Sequence, residues 1–291
     1  MTEPAPIRAL PHGIHADIPE HIYHARVKDL ASKSGLDIIR RAPSKWIAYL
    51  NGHQRPPTDD MVFGTTFHAA LLEPDRYASE YVISPEFGDL RAVAGRTTKE
   101  EGAANKAAKA AWLASHQGVK LVEPEDHANI AGMVASCRAH PLAGPMLDGS
   151  MREATVRWRD PDTGVECKAR LDTWKASVGI ALDVKTAGDA SADGFVRAVE
   201  NYGYHRQSAM YQAGLAACGA EVRSFRFLVI EKEAPWDCAV YDLDEESLMV
   251  GHRQNARALA TMARCLETDI WPGYPTGTTT LALRPWAMRE E

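Results

Sequence analysis

Residues 153–186 read EATVRWRDPDTGVECKARLDTWKASVGIALDVKT, and the fold is decided there. Three runs rich in apolar and β-branched residues, EATVRWRD, VECKARLDTW and GIALDVKT, are joined by DPDTG and KASVG, which predicts an antiparallel meander of three strands. Asp172 falls near the end of the second strand and Asp183 near the end of the third, and the short KASVG turn brings the two together. Two carboxylates at close range repel unless a cation lies between them, and hard oxygen donors suit Mg2+ or Mn2+. Because strand side chains alternate, Asp183 and Lys185 share one face while Val184 turns to the core. A metal and an ammonium group on one face suit phosphodiester hydrolysis: the metal activates water and polarises the phosphoryl oxygen, and the lysine orients that water and neutralises developing charge. Asp-x-Lys by itself is common, since Asp and Lys at strand ends are usually just solvated. The pattern gains weight because LDVKT is an apolar strand that turns polar only where such a site needs it.

Outward from this segment the chain is mostly helical on its N-terminal side. The first dozen residues, rich in Pro and Ala, predict a loose arm over residues 1–20. ASKSGLDIIRRAPSKWIAYL predicts a helix with a Pro-broken continuation, and it carries Arg40, Arg41 and Lys45. MVFGTTFHAALLEPDRY has apolar residues at helical spacing and ends at Pro74, with His68 on or beside the apolar face. Residues 84–98 predict a mobile loop and EEGAANKAAKAAWLASH a helix; Arg91, Arg96 and Lys99 lie at this junction. A further helix, EDHANIAGMVASCRAH, stops at Pro141. Past the meander come a helix or broken helix pair, two more strands (SFRFLVIEKE and CAVYDLD), a long amphipathic helix and a tail over 271–291. The sum is one α/β domain over 21–291, with an αβββαβ core at 126–270 and a helical elaboration at 21–125.

Composition narrows the function classes. With 291 residues, 45% of them hydrophobic, the chain can bury a substantial core without staples. Five scattered cysteines give neither a disulfide framework nor a metal or iron–sulfur spacing, and a reducing cytoplasm is the expected setting. No run of roughly 18 apolar residues predicts a membrane span. A net charge of −6 argues against indiscriminate coating of nucleic acid, so any DNA contact needs a local basic channel.

The ordered series ASKSGL, GTTFHAALLEP, CKARLD, ALDVKT, YGYHRQSAMYQ, WPGY and LRPWA, running from about Ser32 to Trp286, resembles the PD-(D/E)xK nucleases. Within them it is similar to the RecE-like phage and prophage exonucleases related to the nuclease domain of RecB. The resemblance implies a restriction-endonuclease-like core, a central mixed sheet flanked by helices. It implies Asp172 and Asp183 as metal ligands, Lys185 as the catalytic lysine, and His68 and the Val184 backbone carbonyl as further ligands. It also implies a Gln-x-x-x-Tyr pair, here Gln207 and Tyr211, which helical i, i+4 spacing puts on one face. Read without the resemblance, His68 is more often a structural histidine, and Gln207 and Tyr211 are ordinary helix-surface residues. Glu153 stands evenly between a further carboxylate of the metal cluster and an exposed strand residue. RLD replaces the commoner R-P-D, which changes the turn and keeps the carboxylate.

The expectation is therefore a Mg2+-dependent exonuclease, with Mn2+ substituting, that digests linear double-stranded DNA from its ends. By resemblance it works 5′-to-3′ as a ring-shaped homo-oligomer, a trimer or tetramer, and leaves 3′ tails for a RecT-type annealing partner. Arg40, Arg41, Lys45, Arg91, Arg96 and Lys99 are candidate DNA contacts, although charged runs are usually solvated faces. The alternatives are a structure-specific or single-strand nuclease of the RecB or Cas4 type, an inactive DNA-binding scaffold, and a protein-interaction module.

Overall fold

The structure, a computed structural model, describes residues 6–53, 56–283 and 288. Its strands are β1 (Gly13–His15), β2 (Leu30–Ala31), β3 (Tyr81–Ile83), β4 (Lys120–Val122), β5 (Met151–Arg159), β6 (Glu166–Lys175), β7 (Ile180–Ala187), β8 (Ser224–Glu231) and β9 (Cys238–Asp242). The main sheet runs β1-β5-β6-β7-β8-β9 with β2 beside β6, and β3 pairs β4 in a separate ribbon. The predicted meander is β5-β6-β7, antiparallel throughout. Gly179, at φ +69° in the KASVG turn, supplies the left-handed conformation that lets β6 reverse tightly into β7. The chain then crosses over through helices Ala192–Tyr202 and Tyr204–Ala217 to lay β8 parallel to β7. Gly203, left-handed at φ 66°, ends the first of these helices and starts the second, which resolves the broken-pair reading.

Helices cover both faces of the sheet, as alternation along the strands requires. On one face Phe225, Phe227 and Val229 of β8 pack with Trp46, Phe195, Met210 and Met262. On the other, Leu182 and Val184 of β7 and Leu228 and Ile230 of β8 pack with Phe67, Leu71, Ile130 and Met133. The fold is a mixed α/β sandwich with its core on both sides of one sheet, as the meander and its flanking helices predict. Val184 is fully buried, in line with the strand alternation.

Along the edge away from β5, strand β6 has no continuous partner. It pairs with β2 only at Glu166 and Cys167 and with β7 only from Thr173 to Lys175. Between those points the strands diverge and open the sheet beside Asp172 and Asp183.

The structure corrects the N-terminal expectations. Within the described part of the expected loose arm, residues 6–20, Gly13–His15 pairs antiparallel with β5 and Ile7 is fully buried, while residues 1–5 lie outside the described residues. Backbone pairing holds this stretch, and short strands with little alternation leave no mark in composition. The elaboration at 21–125 is not purely helical either, since β2, β3 and β4 lie within it. Each is only two or three residues long and too short to show a period. Of the LRPWA motif, residues 284–287 lie outside the described residues.

Candidate active site

Register builds the site. The pairs Arg152↔Thr173 and Ala154↔Leu171 bracket Glu153 and Asp172, and Thr173↔Leu182 makes Asp183 the next neighbour across the sheet. Three carboxylates therefore lie in one row across β5, β6 and β7. Where β6 and β7 part, the Val184 N–H no longer serves the ladder and donates instead to Asp172 Oδ2 at 2.6 Å. Glu153 has φ +49°, a left-handed backbone in mid-strand. Such a conformation costs a non-glycine residue on the order of 1–3 kcal/mol and is retained where the surroundings impose it.

The helix Asp59–Leu72 brings His68 to the row from the Phe67 side of the sheet. One ligand atom each from His68, Glu153 and Asp172 lie within 4.8 Å of one another, with His68 Nδ1 3.7 Å from Asp172 Oδ2. Asp183 sits beside this cluster rather than in it. Its side chain is nearly fully buried: Oδ1 accepts from Gln207 Nε2 at 2.6 Å, and Oδ2 meets the Lys185 ammonium. That second oxygen is compensated by Lys185, and its remaining lone pair is one that a cation beside it would take.

The electrostatics follow from burial. Burial pushes the Asp183 carboxyl up to about 6 against the pull of Lys185. Burial also raises Asp172, and burial followed by the charge on Asp172 raises Glu153. The Lys185 ammonium is lowered by burial, but Asp183 and Asp172 outweigh this and the net shift is upward. His68 is drawn down to about 4, first by burial and then by Lys185, so at neutral pH its imidazole is uncharged and has a lone pair to give. Carboxylates forced up by burial and by one another are the groups a divalent cation relieves. The donor set of three carboxylates and one neutral imidazole fits such a cation. Glu153, Asp172 and His68 would hold it, with Asp183 and the Val184 carbonyl beside them.

Gln207 and Tyr211 share one face of the helix Tyr204–Ala217, as their spacing predicts. Gln207 orients Asp183. The Tyr211 ring stands edge-on to Phe225 at 5.8 Å, and its hydroxyl is pushed well above its ordinary range, first by burial and then by Tyr23 and the three carboxylates. His68, Glu153, Asp172, Lys185, Tyr204 and Tyr211 open into one cleft of about 1090 Å³.

The cations expected to contact DNA are elsewhere. Arg40, Arg41 and Lys45 do not line the cleft; Arg40 faces Asp37 at 3.6 Å and Lys45 lies over Tyr274. Arg91, Arg96 and Lys99 do not line it either, and Arg96 spends both prongs of its guanidinium on Asp89 at 2.8 and 2.6 Å. The cleft is lined by other cations: Arg26, Arg76, Lys168, Arg170, Arg197 and Lys232. For two of these a signal existed, because Lys168 and Arg170 alternate with Asp172 along one face of β6. The rest come from separate elements that only the fold assembles. All five cysteines are free, and among the described residues no helix is long and apolar enough to cross a membrane.

This sheet, with its acidic row and lysine at the point of divergence, defines a PD-(D/E)xK-type domain. The family profile described as "PDDEXK-like domain of unknown function (DUF3799)" matches residues 32–281, and the chain belongs to that family. Among solved structures, one described as "Putative exonuclease" from Eubacterium rectale is similar in fold: TM-score 0.55 and 13% identity, over 90% of this chain and 97% of that one. No curated protein matches the chain.

Proposed function

We propose that this protein is a Mg2+-dependent exonuclease that hydrolyses phosphodiester bonds of linear double-stranded DNA from an end, with Mn2+ able to substitute. The observation that carries the reading is the row of Glu153, Asp172 and Asp183 at the sheet opening, with Lys185 and neutral His68 against it. A divalent cation held there supplies an activated water and neutralises charge on the phosphoryl oxygens. The chain's own residues do the rest. Lys185 places a fixed positive charge where negative charge develops, Gln207 holds Asp183 in position, and the Val184 N–H locks Asp172. Arg26, Arg197 and Lys232 on the cleft wall supply the local positive charge that a chain of net charge −6 needs to hold a phosphate backbone. The intact acid and base complement speaks for an enzyme over an inactive scaffold. The likeness to RecE-like enzymes supports 5′-to-3′ digestion by a ring-shaped trimer or tetramer, with a RecT-type annealing protein taking the 3′ tail.

The deciding experiment incubates the protein and its Lys185→Ala variant with Mg2+ and end-labelled linear duplex, beside a covalently closed circle. Release of label from the linear duplex alone, lost in the variant and on chelation, is the expected result. Degradation of the circle, or full activity in the variant, overturns the reading.

A further inference from the structure

Tyr204 lines the cleft beside Lys185, yet it has no part in holding the cation or in the proposed hydrolysis. The Lys185 ammonium lies over the face of the Tyr204 ring, 4.8 Å from its centroid, and also meets Asp183. We infer that Tyr204 is a positioning residue whose ring face holds Lys185 in register with the carboxylate row.

Three observations support this. First, the ring has packing partners other than the lysine. It packs against Phe195 at 5.9 Å and Phe227 at 5.7 Å, both buried in the core. Second, its backbone is pinned. Tyr204 is the first residue after the left-handed Gly203, and Lys33 donates to the Tyr202 carbonyl at 2.6 Å. Lys33 also pairs with Asp37, which Arg206 holds at 2.8 Å, so the helix start is tied to the Lys33–Arg41 helix. Third, the arrangement meets a need. Asp183 Oδ2 meets Lys185 and would also face a cation bound beside it, and a shared carboxylate holds an ammonium less firmly. A ring face attracts a desolvated ammonium without competing for a metal. Tyr204, Gln207 and Tyr211, at i, i+3 and i+7 of one helix, then form a single rack: one holds the lysine, one holds Asp183, and one faces the acidic row.

The consequence for rate rests on the nuclease reading; the contact itself is read separately. Kinetics on linear duplex with Mg2+ compare wild type with Tyr204→Leu, which keeps bulk and loses the ring, and Tyr204→Phe, which keeps the ring face. The expected result is a fall in kcat of about tenfold for the Leu variant with KM within about twofold, and recovery of most of kcat in the Phe variant. A Leu variant as fast as wild type, a Phe variant as slow as Leu, or a change confined to KM would overturn the inference. Independently of activity, the ε-methylene NMR signal of Lys185 should be shifted upfield by the ring current in wild type and the Phe variant, with and without Mg2+. An unshifted wild-type signal overturns the inference even if the Leu variant fails to fold. Absence of nuclease activity in wild type would sink the nuclease reading and leave this measurement to decide the contact.

Discussion

Asp172 and Arg96 are both charged residues near a turn, yet the fold uses them in opposite ways. Asp172 stands on β6 between paired flanks, so its direction is set by the ladder, and its nearest partners are the Val184 N–H and the His68 imidazole. Arg96 stands in residues 84–98, where the backbone forms a single bridge, Val93↔Thr97, and Asp89 neutralises the guanidinium on the spot. A charge is available for chemistry when the backbone fixes its direction into the cleft. The strand row meets that condition and the 84–98 segment does not.

The sharpest way to break this contrast is a pair of variants. Lys185→Ala should lower the rate on linear duplex by about a thousandfold or more, because on the proposed mechanism it removes the charge that meets the reacting phosphate. Arg96→Ala should leave the rate within about twofold, as expected of an exposed ion pair. Comparable losses in the two would abolish the distinction between them. A milder effect is expected from the cations that do reach the cleft. Arg197 and Lys232 form exposed ion pairs with Asp189 and Asp60 that a phosphate could replace. Their joint replacement by Ala should raise KM about three- to tenfold and flatten its rise with salt. An unchanged salt slope would remove them from the DNA path.

Two further measurements concern stability. Gln207→Ala leaves Asp183 Oδ1 buried without its donor and should cost about 1–3 kcal/mol, read by urea unfolding. No loss would mean that water replaces the amide. The last effect is a slope with pH. Lys168 on β6 donates to the Tyr23 and Ala25 carbonyls, and burial, then Arg157 and Arg170, lower its pKa from 10.5 to about 8. The folded state thus binds this proton less readily than the unfolded state. Its contribution is present above pH 10.5, is lost as pH falls to about 8, and is level below that. The stability of wild type relative to Lys168→Met should follow that course, and a difference that is constant between pH 8 and 10.5 would contradict it.

Much of the site was legible in the sequence. Meander, turns and alternation sufficed for Asp172, Asp183, Lys185 and the burial of Val184, because a period of two fixes direction along a strand. Helical spacing sufficed for the shared face of Gln207 and Tyr211. Glu153 stayed open, since no pattern reveals a left-handed residue in mid-strand, and Tyr204 was passed over because its partner is nineteen residues away on another element. The basic residues were sought in local clusters, whereas those lining the cleft come from the N-terminal segment, β6, two helices and the turn after β8.

By itself, then, the sequence determined which face of each strand and helix is polar, and so which residues could meet. Only the tertiary structure decided that β6 and β7 part between Asp172 and Asp183, that His68 and Glu153 join Asp172 there, and that Asp183 turns instead to Lys185 and Gln207. The reason is physical: periodicity is a local property of the chain. Where two strands stop pairing, and which distant side chain fills the gap, depends on how the whole sheet is packed.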